Sequence, residues 1–211
     1  MKKILFTIAC LISALTISAQ RASSSSSSFF STEKAEQPVT FGIRAGMNIA
    51  NMTGDIENNK SRIGFNVGVN VDIPILQSFY LQTGLYATQK GTKIEDDYYD
   101  EEYSAKPLYL QIPILASYRY NFSDKTQLQF NVGPYFAYGI SGKVDDIDFF
   151  GDDDDQFGGK RFEMGLQVGT GITFNKIYVG AAYEFGLTNA IDEDDYSVKN
   201  SNFMINVGYN F

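Results

Sequence analysis

The sequence contains no histidine and no tryptophan, and its single cysteine, Cys10, lies near the amino terminus. Histidine is the commonest general base and a frequent metal ligand, so its absence removes the usual Ser-His and His-metal catalytic arrangements. A lone cysteine excludes an intrachain disulfide. The formal net charge of −8 disfavours nucleic acid as a partner. These absences predict a non-enzymatic chain with no cofactor.

Long hydrophobic runs are also missing after the first 20 residues, and none approaches the ~18 apolar residues of a membrane-spanning helix. Residues 1–19 instead have the pattern of a signal peptide. Lys2 and Lys3 precede a mostly apolar stretch, and Ser18-Ala19 supply small residues for cleavage before Gln20. Cys10 suggests a lipoprotein signal as the alternative, but too few apolar residues precede it. Cleavage after Ala19 removes the only cysteine.

Residues 20–38 are predicted to be a flexible linker. Ser23 to Ser28 form an unbroken serine run, which cannot bury a hydrophobic core. The remaining residues, 39–211, are then a single domain.

This domain is built from segments in which apolar residues occupy every second position. The carboxy-terminal segment shows it best, with Phe203, Ile205, Val207, Tyr209 and Phe211 separated by mostly small or polar residues. Side chains alternate between the two faces of a strand, so each segment has one apolar and one polar face. The eight segments are 41–50, 63–73, 79–92, 108–122, 128–142, 162–174, 177–189 and 203–211.

These segments predict an all-β fold, an eight-stranded antiparallel up-and-down transmembrane β-barrel. Most segments have the ten or so residues that a tilted strand needs to cross a bilayer. A strand-built membrane protein must close into a barrel, because hydrocarbon cannot satisfy an open sheet edge. A soluble β-sandwich is the alternative, with shorter strands and a mixed surface.

The connections alternate between short and long. The short ones lie at 76–77, 123–125 and 175–176, and the long ones contain most of the 25 acidic residues. Outer-membrane barrels have short periplasmic turns and long external loops, so we expect both termini on the periplasmic side and a cell outer membrane location. The long connections are residues 53–61, 93–106, 143–161 and 190–201.

The acidic run in the third long loop raises the question of calcium. Carboxylate oxygens are the ligands that calcium prefers, but the spacing lacks the alternation and the closing glutamate of an EF-hand. A solvated charge run is the simpler interpretation, so no metal site is expected. The weak calcium candidates are Asp152, Asp153, Asp154 and Asp155.

The inward face of the barrel carries charges of both signs. An eight-stranded barrel is narrow enough for side chains to fill it. We therefore expect a closed, hydrogen-bonded lumen, with a small-solute pore as the alternative. Arg44 and Asp72 should approach within salt-bridge range, with Arg119 near the same level. The predicted lumen network comprises Arg44, Asp72, Lys90, Gln111, Arg119, Glu163 and Glu184.

Two of these acids, Glu163 and Glu184, lie on neighbouring strands and could imitate a catalytic carboxylate pair. They fall at different heights along their strands, which argues against catalysis. Pro113 and Pro134 also need an explanation, because proline breaks a strand ladder. A local bulge or widened gap would accommodate both.

Aromatic residues near the short turns are candidates for an aromatic girdle at the inner membrane interface. The alternative is simply that Tyr and Phe favour strands. The candidates are Tyr80, Tyr118, Tyr120, Phe122 and Tyr178, of which Tyr80 also falls at an inward position.

Four stretches in sequence order resemble the outer-membrane β-barrel family of Bacteroidetes, often labelled porin-family or PorT-like. They read LYLQIPILASYRY at 108–120, GPYFAYGISGK at 133–143, FEMGLQVGTG at 162–171 and YEFGLTN at 183–189. The resemblance covers roughly residues 39–211 and implies fold and location more than activity. The family's fourth strand often carries an acid where Gln111 stands here.

The expected function is a non-enzymatic outer-membrane protein that presents acidic loops outside the cell. The alternatives are a narrow small-solute channel and an accessory component of a secretion or envelope complex, the latter because the family's best-studied branch assists protein secretion. The expected partners are outer-membrane lipid, the outer-membrane assembly machinery and an envelope or extracellular protein, around a monomeric barrel. The resemblance assigns the assembly signal to the terminal aromatics, here Tyr209 and Phe211.

Overall fold

The structure is a computed structural model that describes residues 37–54, 59–96, 101–144, 147–150, 158–190 and 197–211. The predicted signal peptide, nearly all of the linker and Asp152 to Asp155 lie outside these residues. No helix in the described part of the chain is long and apolar enough to span a membrane.

Eight long strands form the barrel. Alternating apolar and small or polar residues favour extended backbone with two distinct faces, and each predicted segment forms such a strand. The barrel strands are β1 (Thr40–Gly54), β2 (Asn59–Leu76), β3 (Phe79–Gln89), β6 (Leu108–Ser123), β7 (Thr126–Ser141), β10 (Phe162–Phe174), β11 (Ile177–Gly186) and β12 (Val198–Asn210).

The sheet closes on itself. Each barrel strand pairs antiparallel with its neighbours in sequence order, and β1 pairs with both β2 and β12. The seam between β1 and β12 runs from Gly42 opposite Asn210 to Gly54 opposite Val198. Closure leaves no barrel strand with an open edge, which a strand-built membrane protein requires. The predicted closed eight-stranded barrel is confirmed.

The outer surface of the barrel is apolar. On β12, Phe203, Ile205, Val207 and Tyr209 are exposed, and the following Phe211 is 66% exposed. Asn202 and Met204, on either side of Phe203, are buried in the lumen. Strand β1 shows the same phase, with Phe41, Ile43, Met47 and Ile49 outward. The predicted strand phase is therefore correct. The apolar side chains point outward, as a surface in contact with lipid requires.

Three short turns lie at one end of the barrel, at residues 77–78, 124–125 and 175–176. Asn175 adopts a positive φ of 55°, a conformation that asparagine tolerates better than most residues. The long connections lie at the other end and contain four short strands where the sequence predicts loops. They are β4 (Thr92–Asp96), β5 (Glu101–Ser104), β8 (Lys143–Val144) and β9 (Ile147–Asp148).

The two prolines are accommodated by a gap in the ladder between β6 and β7. Pro113 pairs with Tyr135 and Ala116 pairs with Val132, but the residues between them form no ladder pairs. The register is the same on both sides of the gap, so no residue is inserted. Of the two predicted solutions, the widened gap is correct at this point.

The predicted aromatic girdle is wrong for two of its five members. Tyr80 and Tyr178 are each only 4% exposed and point into the lumen. Tyr120 and Phe122 do face outward, and their rings pack edge to face with centroids 4.9 Å apart. Position relative to a turn was a poor guide because strand phase decides which face a ring occupies.

Candidate functional site in the lumen

The half of the lumen nearer the short turns is organised around Asp72. This carboxylate is fully buried. Its Oδ1 lies 2.8 Å from Arg119 Nη2 and accepts a hydrogen bond from Gln82 Nε2 at 2.7 Å. Asn70 donates to the other carboxylate oxygen at 3.3 Å. The Arg119 guanidinium also lies 4.1 Å from the ring centroid of Tyr80. Asp72 is thus neutralised by Arg119 and hydrogen-bonded on both oxygens.

The predicted salt bridge between Arg44 and Asp72 is wrong. Within the described residues, Arg44 Nε donates to Asn70 Oδ1 at 3.3 Å, and Asn70 connects it to Asp72. The Arg44 guanidinium stacks on Tyr178, 3.6 Å from the ring centroid. Arg119 takes the carboxylate because it reaches Asp72 across β3. Arg44 lies four residues farther along β1, since Thr40 is the residue opposite Asp72.

The half of the lumen nearer the long connections is organised around Lys90. Its ammonium nitrogen lies 2.7 Å from Glu163 Oε1 and 3.0 Å from Glu184 Oε2. Lys90 and Glu184 are completely buried, and Glu163 is 4% exposed. The two acids lie at different heights along their strands, since Glu184 is opposite Gln167, but both reach one lysine because Lys90 follows the end of β3 and extends into the lumen. We call Lys90, Glu163 and Glu184 the lysine cluster.

Neutral side chains donate further hydrogen bonds to both carboxylates of the lysine cluster. Glu163 accepts hydrogen bonds from the Tyr135 hydroxyl at 2.6 Å and from Asn200 Nδ2 at 2.7 Å. Glu184 accepts from Asn202 Nδ2 at 3.1 Å and from Gln111 Nε2. Gln111, where the resembling family often has an acid, acts here as a donor. A buried ion cluster is stable only when its remaining lone pairs are satisfied in this way.

An apolar cap lies beyond the lysine cluster. Phe149 and Phe150, in the connection between β7 and β10, are 0% and 4% exposed. Phe150 packs edge to face on Tyr109, with ring centroids 5.5 Å apart. Gly139 leaves room for this ring, since a Cβ at that position would lie 2.2 Å from Phe150 Cζ. The rest of the cap consists of Met52, Ala105, Tyr135, Ala137, Val144, Ala190 and Val198.

Empty space in the described lumen is unevenly distributed. A cavity of about 40 Å³ lies between the two polar clusters, beside Gln82, Tyr86 and Gln111. A wider opening of about 550 Å³ lies at the short-turn end, between Thr40, Arg119 and Lys176. The described lumen is therefore open to solvent at the short-turn end, whereas the side chains of the apolar cap occupy it at the other end.

The carboxylates of the lysine cluster are buried among their partners. The lysine cluster holds its two carboxylates in contact with a cation and neutral donors, so neither is placed toward a substrate-sized space. The two polar clusters bring together all seven predicted lumen residues, although their pairing differs from the prediction. Tyr135, Asn200 and Asn202 were not in the predicted network. Their inward strand phase was the available signal.

Comparisons with known proteins agree with this architecture. The family described as outer membrane protein beta-barrel domain matches residues 19–192. Neisserial surface protein A shares 13% identity, with 83% of this chain and 100% of that chain covered and a TM-score of 0.53. OprG from Pseudomonas aeruginosa shares 14% identity over 85% and 97% of the chains, with a TM-score of 0.47.

A further structure, Ail of Yersinia pestis, shares 17% identity over 83% of this chain and 100% of that chain, with a TM-score of 0.43. Identities this low concern the fold alone. No curated protein sequence matches the chain.

Proposed function

The chain belongs to the outer membrane protein beta-barrel domain family, and from that premise we propose that it is a non-enzymatic barrel with a closed lumen. It resides in the cell outer membrane. The long connections, which carry most of the acidic residues, face the cell exterior and form the binding surface of the protein.

The observation that carries the proposal is the filled cross-section at the lysine cluster. Lys90 and Glu184 are fully buried, and the apolar cap covers the cluster from the long-connection side. An ion crossing here would have to break two short ion pairs and displace two aromatic rings. Both steps are costly inside a low-dielectric lumen.

Conductance measurements in planar bilayers test the closed lumen. The wild-type barrel should produce no channel steps above the baseline. Replacing Phe149 and Phe150 with alanine, together with Lys90→Ala, Glu163→Ala and Glu184→Ala, should create conductance because it empties the same cross-section. Lys125→Ala, in an exposed short turn, is the matched control and should remain silent. Regular steps from the folded wild-type barrel would favour the small-solute channel instead.

Surface labelling tests the orientation. The predicted mature chain has no cysteine, so Ile147→Cys and Lys125→Cys each introduce a unique thiol. A membrane-impermeant maleimide applied to intact cells should label Ile147→Cys, which lies in β9 at an exposed position. It should reach Lys125→Cys only after the outer membrane is permeabilised. The opposite pattern would reverse the topology.

We further propose that the chain is related to the PorT-like outer-membrane proteins of Bacteroidetes. The four ordered motifs support it. Cross-linking through the Ile147→Cys thiol in native envelopes, followed by mass spectrometry, tests it. Specific cross-links to secretion components would shift the proposal toward an accessory role in secretion, whereas cross-links to other surface proteins would favour a separate binding function.

A further inference from the structure

Arg44 is a lumen cation without a carboxylate partner in the described part of the chain. The residue is only 5% exposed. Its Nε donates to Asn70 Oδ1 and its guanidinium stacks on Tyr178, but its Nη2 has no hydrogen-bond partner. The nearby carboxylate of Asp72 is already neutralised by Arg119. Because a guanidinium stays protonated in proteins, its burial without a counter-charge is costly.

The cavity of about 40 Å³ between the two polar clusters, which we call the mid-lumen cavity, adjoins this free nitrogen. Arg44 lines it together with Asn131, Gln167 and Asn206, whose amide oxygens are buried without a hydrogen-bond partner. Within the described residues, no side-chain hydrogen bond holds these three amides in one orientation. Each of them can therefore turn either its oxygen or its NH₂ group toward the cavity.

The charge and the size of the mid-lumen cavity select its occupant. The occupant accepts a hydrogen bond from a permanent cation, which favours an anion because charge-assisted hydrogen bonds are the stronger ones. A single water needs about 10–15 Å³ of such space, so 40 Å³ holds an occupant of a few water-sized atoms at most. Phosphate and sulfate are too large, whereas a chloride ion fits.

The charges on the far side make the mid-lumen cavity a dead end for an anion. There, Gln111 lines the cavity with an unpartnered Oε1, while its Nε2 donates to Glu184. The lysine cluster has two carboxylates for one ammonium group, so it repels an anion. The half of the lumen nearer the short turns has the opposite excess, because Arg44 and Arg119 share the single carboxylate of Asp72.

We propose that the mid-lumen cavity binds one monovalent anion of chloride size, held by Arg44 Nη2 and by the amides of Asn131, Gln167 and Asn206. The anion supplies the counter-charge that Arg44 lacks. It enters from the short-turn end, where the lumen is open to solvent. This site goes beyond the proposed function, because the barrel binds the ion without letting it cross.

Bromide locates the site, because it replaces chloride and scatters X-rays anomalously. Crystals of the full-length mature barrel in sodium bromide should show one anomalous peak beside Arg44 Nη2. Ala182 also lines the cavity, so Ala182→Val narrows it while Arg44 stays in place, and the peak should disappear. Lys125→Gln removes an exposed cation in a short turn and is the matched control, which should keep the peak. Water alone in the wild-type cavity would overturn the proposal.

The unfolding temperature measures the same site in solution. Replacing sodium gluconate with sodium chloride at equal ionic strength should raise the unfolding temperature of the wild type by about 2–4 °C, once chloride is about fivefold above its dissociation constant. Lys125→Gln should gain as much. Arg44→Met and Ala182→Val should gain nothing, because one lacks the cation and the other lacks the space. An equal gain in all four proteins, or no gain in the wild type, would refute the site.

Discussion

Replacing Lys90 with methionine should destabilise the barrel more than any single surface substitution. Methionine keeps the apolar stem and removes the ammonium group. Glu163 and Glu184 then remain buried without their shared cation, from which each is at most 3.0 Å away. The perturbation therefore isolates the charge of Lys90 from its volume.

The magnitude follows from the geometry of the lysine cluster. Because Lys90 Nζ lies 2.7 Å from Glu163 Oε1 and 3.0 Å from Glu184 Oε2, these two oxygens are less than about 6 Å apart. At an effective dielectric constant near 20, the two charges repel each other by about 3 kcal/mol once the cation is gone. Removing one partner of a buried ion pair costs about 3–5 kcal/mol in general. The donors Tyr135, Asn200 and Asn202 remain, so we expect a loss in unfolding free energy of about 3–5 kcal/mol.

The charge-free triple variant Lys90→Met, Glu163→Gln, Glu184→Gln provides the decisive comparison. Replacing a complete buried ion cluster with neutral groups is often neutral or even stabilising, so most of the lost stability should return. Lys125→Met, an exposed change in a short turn, should alter stability by less than about 0.5 kcal/mol.

Urea unfolding in detergent micelles measures these differences. The chain has no tryptophan, so far-ultraviolet circular dichroism is the suitable signal, with heat-modifiable migration in electrophoresis as an independent readout. A Lys90→Met barrel within about 1 kcal/mol of the wild type would contradict the reasoning. A triple variant as unstable as the single one would assign the effect to packing.

Three further changes probe other parts of the barrel. Asp72→Ala removes the carboxylate that neutralises Arg119 and should lower the unfolding free energy by about 3 kcal/mol, measured by the same urea titration; unchanged unfolding would count against the lower network. Gly139→Val should displace the Phe150 ring, cost about 1–3 kcal/mol and increase protease cleavage between β7 and β10, whereas wild-type resistance would show that the cap repacks. Deleting Phe211, whose amide donates to the carbonyl oxygen of Phe41 at 2.8 Å, should reduce the folded barrel in the outer membrane while export continues, and a normal folded yield would place the assembly signal elsewhere.

The sequence alone was sufficient for the fold class, the strand phase and the closure of the barrel. Alternation along the segments ending at Phe211 identifies the lipid-facing side, because successive side chains on a strand must point in opposite directions. Pairing between the first and last strands then follows from the cost of an open edge in hydrocarbon. The identity of the inward residues, including Arg44, Lys90 and Glu184, follows from the same alternation.

Only the tertiary structure decided which inward residues meet. Asp72 pairs with Arg119 rather than Arg44, and Lys90 joins Glu163 and Glu184 from strands that are distant from β3 around the barrel. Strand register relates neighbouring strands, whereas contacts across the lumen depend on barrel diameter, strand tilt and side-chain reach.

The apolar cap could not be predicted from the sequence either. Phe149 and Phe150 stand in an acidic stretch that has no strand periodicity, and nothing local distinguishes a buried loop aromatic from an exposed one. They are buried because the rim of the barrel offers an apolar surface at Tyr109 and a space at Gly139. That surface exists only after the strands have closed, which is the physical reason that the burial of Phe149 and Phe150 belongs to the tertiary structure.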